Sequence, residues 1–114
     1  LYGGHQAENA TLAVAAVESL LAPGDRGLDP DVVAEGLGTA TSPGRVQVVG
    51  ADPTVVVDAA HNPHGARALT AALAASFDFD EWGLVLGVLD DKDAAGILQA
   101  LSSVEGPVFA TVPD

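Results

Sequence analysis

The sequence has no cysteine among its 114 residues, which removes a disulfide framework and any Cys-based zinc site. Basic residues are nearly as scarce: 4 Lys and Arg stand against 16 Asp and Glu, for a formal net charge of −12. Phosphate backbones and anionic membrane surfaces are gripped by clustered cations, so this balance argues against a nucleic-acid or membrane partner. No apolar run approaches the roughly 20 residues that span a bilayer. Residues 1–30 lack a basic leader segment and carry Glu8, Glu18 and Asp25. A soluble, cytoplasmic protein is the expectation. Three motifs are also missing: the G-x-x-x-x-G-K-[ST] phosphate loop, the G-x-G-x-x-G dinucleotide turn and the G-x-S-x-G nucleophile elbow. A complete phosphoryl-transfer site cannot be assembled from these residues. With no methionine, a start at Leu1 and an end just after an apparent strand, the sequence reads as a piece of a longer chain.

What is present is apolar and ordered into elements. The hydrophobic fraction is 48%, enough to argue against disorder. Residues 5–21 are rich in Ala and Leu, and Ala10, Ala13, Val14, Val17, Leu20 and Leu21 recur at helical spacing. Pro23-Gly24 is the expected stop. Asp29-Pro30 reads as an N-cap followed by proline in the first turn of a short helix. That helix should run to about Leu37, with Gly36 and Gly38 as terminators. Residues 39–45, small and turn-forming, are the expected linker. Val46–Val49 and Thr54–Val57 are β-branched runs around a Gly50–Pro53 turn, which suggests a hairpin.

Residues 62–76 form the next expected helix, capped by Asn62, with Pro63 in its first turn and a stripe of Ala66, Leu69, Leu73 and Phe77. The run 83–89 is continuously apolar, as in a strand covered on both faces. Asp93 is placed to cap a helix through Val104 with stripe Ala94, Ile97, Leu98 and Leu101. Pro107 to Val112 is a last strand. From residue 54 the alternation of strand and helix implies an α/β fold with a mostly parallel sheet.

Chemistry concentrates where a strand hands over to a helix, at Asp58-Ala59-Ala60-His61-Asn62-Pro63. Ligands of open α/β sheets bind beyond the carboxyl ends of strands, and the amides and dipole of a helix start favour an anion. Asp58 can accept hydrogen bonds from ribose hydroxyls, and His61 stands where it can meet a phosphate. The plainer alternative is that Asp58 and Asn62 close the turn and cap the helix. Arg45, at the end of the linker, suits bidentate phosphate contact, or is a solvated surface residue. His5 and Asn9 share a helix face at i and i+4. The Asn amide matches the donor and acceptor pattern of an adenine edge, though polar positions near a helix start need no ligand. Asp90-Asp91-Lys92-Asp93 is read as a solvated loop with a cap rather than a Mg²⁺ site.

His5-Gln6-x-x-Asn9-Ala10, Pro43-Gly44-Arg45, Asp58-x-Ala60-His61-Asn62-Pro63 and Gly87-x-x-x-Asp91-Lys92-Asp93 occur in this order over nearly the whole chain. Together they resemble the folylpolyglutamate synthase / dihydrofolate synthase family of the Mur ligase superfamily. Ala59 stands where that family usually has Gly, and Ser42 where an aromatic often precedes Pro-Gly-Arg. The resemblance implies residues 1–38 as the helical tail of a P-loop ATPase domain, 39–45 as the interdomain linker and 46–114 as the first part of a Rossmann-like C-terminal domain, truncated after its hairpin and βαβαβ run. It implies an ATP-dependent ligase that joins L-glutamate to a pteroate or folate carboxylate through an acyl phosphate. Mg²⁺, its ligands and the phosphate loop would lie outside this stretch, leaving the isolated fragment inactive. By position, Asn9 would face adenine, Arg45 the ATP phosphates, Asp58 the ribose and His61 the region near the phosphates. Two alternatives stand beside it: another Mur-type ligase, and a non-catalytic α/β nucleotide-binding module.

Overall fold

A computed structural model of the chain describes residues 1–21 and 27–112. Its elements follow as α1 (Gly4–Leu21), α2 (Pro30–Thr39), β1 (Gln47–Ala51), β2 (Thr54–Val57), α3 (Pro63–Ser76), β3 (Leu84–Gly87), α4 (Ala94–Leu101) and β4 (Val108–Thr111). The expected stop at Pro23-Gly24 lies outside the described residues.

Helix starts follow their local chemistry. Asp29 accepts a hydrogen bond from the Asp31 amide, Asn62 from the Gly65 amide and Asp93 from the Gly96 amide. Each side chain satisfies an amide that the first helical turn leaves without a partner. Helix ends depart from expectation. α2 runs through Gly36 and Gly38 to Thr39, whose hydroxyl donates to the Glu35 carbonyl at 3.0 Å, and only then does Ala40 turn extended. Both glycines keep helical backbone, so neither acts as a terminator. α4 stops at Leu101 rather than Val104, and within it Ile97 and Leu101 are buried while Leu98 is exposed.

β1 and β2 form the expected antiparallel hairpin, with a bulge between Val48 and Gly50 that leaves Val49 out of the pairing. β3 and β4 pair in parallel through α4, Leu84 opposite Val108 and Gly87 opposite Thr111. The continuous, mostly parallel sheet expected from residue 54 onward is instead two two-stranded sheets among the described residues, because β2 pairs with β1 and not with β3. α3 bridges them. One apolar cluster joins Val46, Ala72 and Leu73 with Val56, Phe77 and Trp82; a second joins Ala66, Ile97 and Leu101 with Leu84, Leu86 and Val88. Leu69 packs against both. The Thr70 hydroxyl adds a polar tie to α4, reaching the Ala100 carbonyl at 3.1 Å. β3 is covered on one face only: Leu84 and Leu86 are half-buried, while Val85 is 73% exposed beside Phe109 of β4. A continuous apolar run therefore did not mean two covered faces here.

α1 is the longest helix, and no residue of it is buried. It is tied at its ends. The Tyr2 ring lies 5.3 Å from the Phe77 ring, and at the far end the Glu18 carboxylate accepts the Leu28 amide at 3.0 Å. The aromatic contacts continue from Phe77 to Phe79 and on to Trp82. No described helix is long and apolar enough to cross a membrane.

Candidate functional site

The site grows from the linker turn. The Arg45 amide donates to the Ser42 carbonyl at 3.2 Å and the Gly44 amide to Gln47 Oε1 at 2.9 Å. Gly44 and Val46 both have left-handed backbone, φ 70 and φ 44. Glycine adopts this region freely, but a β-branched residue is a true outlier there, at about 1–2 kcal/mol. Two compensations hold Val46. Its side chain is 1% exposed within the cluster around Ala72 and Leu73. Its amide donates to Asp58 Oδ2 at 2.8 Å. The β-branched run predicts a strand from Val46; β1 begins one residue later, and nothing in the local sequence marks the outlier.

Asp58 stands just past the carboxyl end of β2. Its second oxygen, Oδ1, accepts the Ala60 amide at 2.8 Å, and the Ala59 amide donates to the Gly44 carbonyl at 2.8 Å. Linker and strand-to-helix turn are thus joined by two hydrogen bonds, Val46 to Asp58 and Ala59 to Gly44. Next in line, His61 is exposed. Its Nδ1 lies 3.1 Å from the Ala59 carbonyl, which can only accept, so Nδ1 carries the proton and Nε2 is the nitrogen left for a ligand. Asn62 then caps α3, whose first turn presents its dipole at the same end.

Arg45 is exposed, and no described acid pairs with it; the ion pair among the described residues is Lys92 to Asp91. The structure therefore brings Arg45, Asp58 and His61 to one joint. Asn9 is not brought into it by any hydrogen bond. Its Nδ2 donates to Gln6 Oε1 at 3.5 Å, and Gln6 Nε2 in turn donates to His5 Nε2 at 3.1 Å. The link between the start of α1 and the linker is an open groove of about 560 Å³, whose lining includes Tyr2, Pro43, Arg45, Val46 and Gln47. Tyr2 and Gln47 carried no signal in the sequence, since neither lies in a recognisable motif.

A second hollow, about 410 Å³, lies at the carboxyl ends of β3 and β4 between Val88, Leu89, Asp90, Asp91 and Val112. Its charged lining is acidic and would repel a phosphate. Lys92 Nζ donates to Asp91 Oδ2 at 2.6 Å, and that hydrogen bond holds the Asp91 carboxyl below its ordinary 3.8. Among the described residues no group of three or more His, Asp or Glu side chains converges as a metal site.

Comparison with known proteins gives a consistent result. The model of the family described as "Mur ligase, glutamate ligase domain" matches residues 44–113. The dihydrofolate synthase/folylpolyglutamate synthase of Mycobacterium tuberculosis is 51% identical over 112 residues, which is 97% of this chain and 23% of that protein. A crystal structure of Mycobacterium tuberculosis folylpolyglutamate synthase complexed with ADP and AMPPCP superposes with a TM-score of 0.92 at 49% identity, covering 98% of this chain and 25% of that one. E. coli FolC in complex with DHPP and ADP superposes at 0.75 and 29% identity, covering 93% of this chain and 30% of that one. The chain thus spans between about an eighth and a quarter of the length of the curated relatives it matches. With more than half of its residues inside that family match, and with folylpolyglutamate and dihydrofolate synthases as its relatives, the chain belongs to the Mur ligase family through the glutamate ligase domain.

Proposed function

We propose that this chain is part of an ATP-dependent amide ligase that adds L-glutamate to dihydropteroate or folate, and that it supplies one wall of the ATP cleft. On this reading residues 1–38 close the ATPase domain, 39–45 link, and 46–114 begin the C-terminal domain. In the reaction the γ-phosphoryl group of ATP passes to the substrate carboxylate, giving an acyl phosphate and ADP. The glutamate amine then attacks the acyl carbon and phosphate leaves. This segment's share is binding. Arg45 meets the phosphates with a charge-assisted, two-pronged contact; His61 and the amides at the start of α3 lie toward the same anion; Asp58 accepts from the ribose; Asn9 faces adenine. Mg²⁺, when bound, spreads the charge of the transferring phosphoryl group. On this reading its ligands lie outside this segment.

The observation that carries the reading is the joint itself: an arginine that no described acid pairs, on a linker turn hydrogen-bonded to the carboxyl end of a strand and the start of a helix. Its likeness to proteins crystallised with ADP and AMPPCP supports it. In the complete enzyme, Arg45→Ala is expected to raise the KM for ATP by about ten- to a hundredfold, as loss of a hydrogen-bonded charge contact implies. An unchanged KM removes the phosphate role. This segment alone is expected to release no ADP in response to glutamate. The rival is a sister Mur ligase, because the matching family model is described only as a Mur ligase domain. ADP release that depends on dihydropteroate or folate, and not on a peptidoglycan precursor, separates the two.

A further inference from the structure

Arg45 lies between two residues with left-handed backbone, Gly44 at φ 70 and Val46 at φ 44. The direction in which it leaves the linker is set by both reversals. The first costs nothing for glycine, but the second is strained for valine and needs a partner. Val46 is 1% exposed, so its amide has no water to fall back on, and Asp58 Oδ2 at 2.8 Å is its acceptor. A buried amide that loses its acceptor bears the full desolvation penalty. The same carboxylate fixes its own segment by accepting the Ala60 amide through Oδ1.

We infer that Asp58 is a positioning residue: its carboxylate locks Val46 in the strained conformation and thereby aims Arg45 at the nucleotide phosphates. The inference rests on Arg45 being the phosphate contact proposed above. It assigns Asp58 a task that a ribose contact does not require. Each carboxylate oxygen accepts more than one hydrogen bond, so the clamp leaves room for a hydroxyl as well.

The test uses the complete enzyme and has two arms. In the first, the KM for ATP is measured for Asp58→Asn, Arg45→Ala and the double variant, with ATP and with its 2′-deoxy and 3′-deoxy forms. Asparagine cannot accept both amides without turning its NH₂ against one of them. Asp58→Asn is therefore expected to raise the KM for ATP about tenfold while kcat moves far less. With the deoxy nucleotide that lacks the hydroxyl Asp58 accepts, a clamp acting through Arg45 makes the double variant no worse than Arg45→Ala alone, and the Asp58→Asn penalty persists with both deoxy nucleotides. Additive losses with both deoxy nucleotides, or a penalty that vanishes when a ribose hydroxyl is removed, overturn the inference.

In the second arm, amide hydrogen exchange is followed without nucleotide. Asp58→Asn is expected to speed exchange at Val46 while α3 and α4 keep their protection, which also shows that the variant is folded. Unchanged exchange at Val46 overturns the clamp whatever the kinetics. If Arg45→Ala leaves the KM for ATP untouched but Val46 still loses protection in Asp58→Asn, the phosphate reading of Arg45 fails and the aiming role fails with it, while the lock on the linker stands.

Discussion

α1 and α3 are made of much the same residues, Ala-rich with a sprinkling of Leu, yet they live differently. α3, 14 residues long, buries Ala66, Ala72 and Leu73 and borders both apolar clusters. α1, 18 residues long, fully buries no residue; Leu12 is 69% exposed, Leu20 79% and Leu21 74%. The periodicity of apolar residues says which side of a helix avoids water, but not what that side meets. For α3 the partners are near in sequence: the hairpin before it and β3 and α4 after it. For α1 the ring contact of Tyr2 and the hydrogen bond of Glu18 lie at the ends, and along its length Ala10 and Val14 are only half-buried. Composition and spacing were equal guides to both helices as helices. They were unequal guides to burial, which is a property of the whole assembly.

The sharpest way to break this contrast is to truncate a leucine in α3. Leu73→Ala removes a side chain that is 8% exposed within the cluster of Val46 and Ala72. The expected loss is about 2–5 kcal/mol, the transfer term plus the cavity left behind. Chemical denaturation measures it. A loss below about 1 kcal/mol would mean that the core around α3 is far looser than described.

The seam where the start of the chain meets α3 comes next. Gly3 has φ +95, and a Cβ there would sit 2.8 Å from the Ala72 Cβ and from His5 Cε1. Gly3→Ala meets both backbone strain and a clash, and about 1–3 kcal/mol of destabilisation is expected. Because it strikes the seam, it should also disturb the tilted contact of Tyr2 with Phe77, read by a change in near-ultraviolet dichroism. Wild-type stability with an unchanged spectrum would show that the residues leading into α1 are not seated on α3 at all.

A smaller effect is expected at the cap. Asn62→Ala deletes the acceptor for the Gly65 amide at 2.8 Å, worth about 1 kcal/mol. Exchange should quicken in the first turn of α3 and stay unaltered in α1, which has no side chain capping it in this way.

That cap illustrates what the sequence makes legible. Asp29-Pro30, Asn62-Pro63 and Asp93 act within three residues of themselves, so their roles follow from local chemistry alone. The hairpin was legible too, from its β-branched runs, although the bulge at Val49 was not. Other features depend on distant partners. Gly36 and Gly38 look like stops, but hydrogen bonds in the last turn carry α2 past them. Val85 looks like a core residue until its face of β3 is found open. At the candidate site, Arg45 and Asp58 stand out in the sequence because a linker arginine and a strand-end aspartate are exposed to chemistry by their positions. The left-handed Val46 between them was not: its β-branched side chain favours extended backbone, and only the Asp58 carboxylate and the contacts with Ala72 and Leu73 reverse that preference. Asn9 lies on a helix as the spacing predicts, but what its side chain meets depends on how α1 sits, which no local pattern encodes.

The smallest expected effect returns to α1. In the chain as it stands, Leu12→Ala should change stability by no more than about 0.5 kcal/mol, since an exposed leucine has little burial to lose and alanine is the better helix former. The same substitution in the complete ligase is the informative measurement. If the ATPase portion covers this face of α1, the cost there should rise into the range expected for Leu73→Ala, and α1 and α3 become equals. If the cost stays small in the longer protein as well, the leucines of α1 remain in water, and the helix owes its place to the contacts at its two ends rather than to a buried stripe.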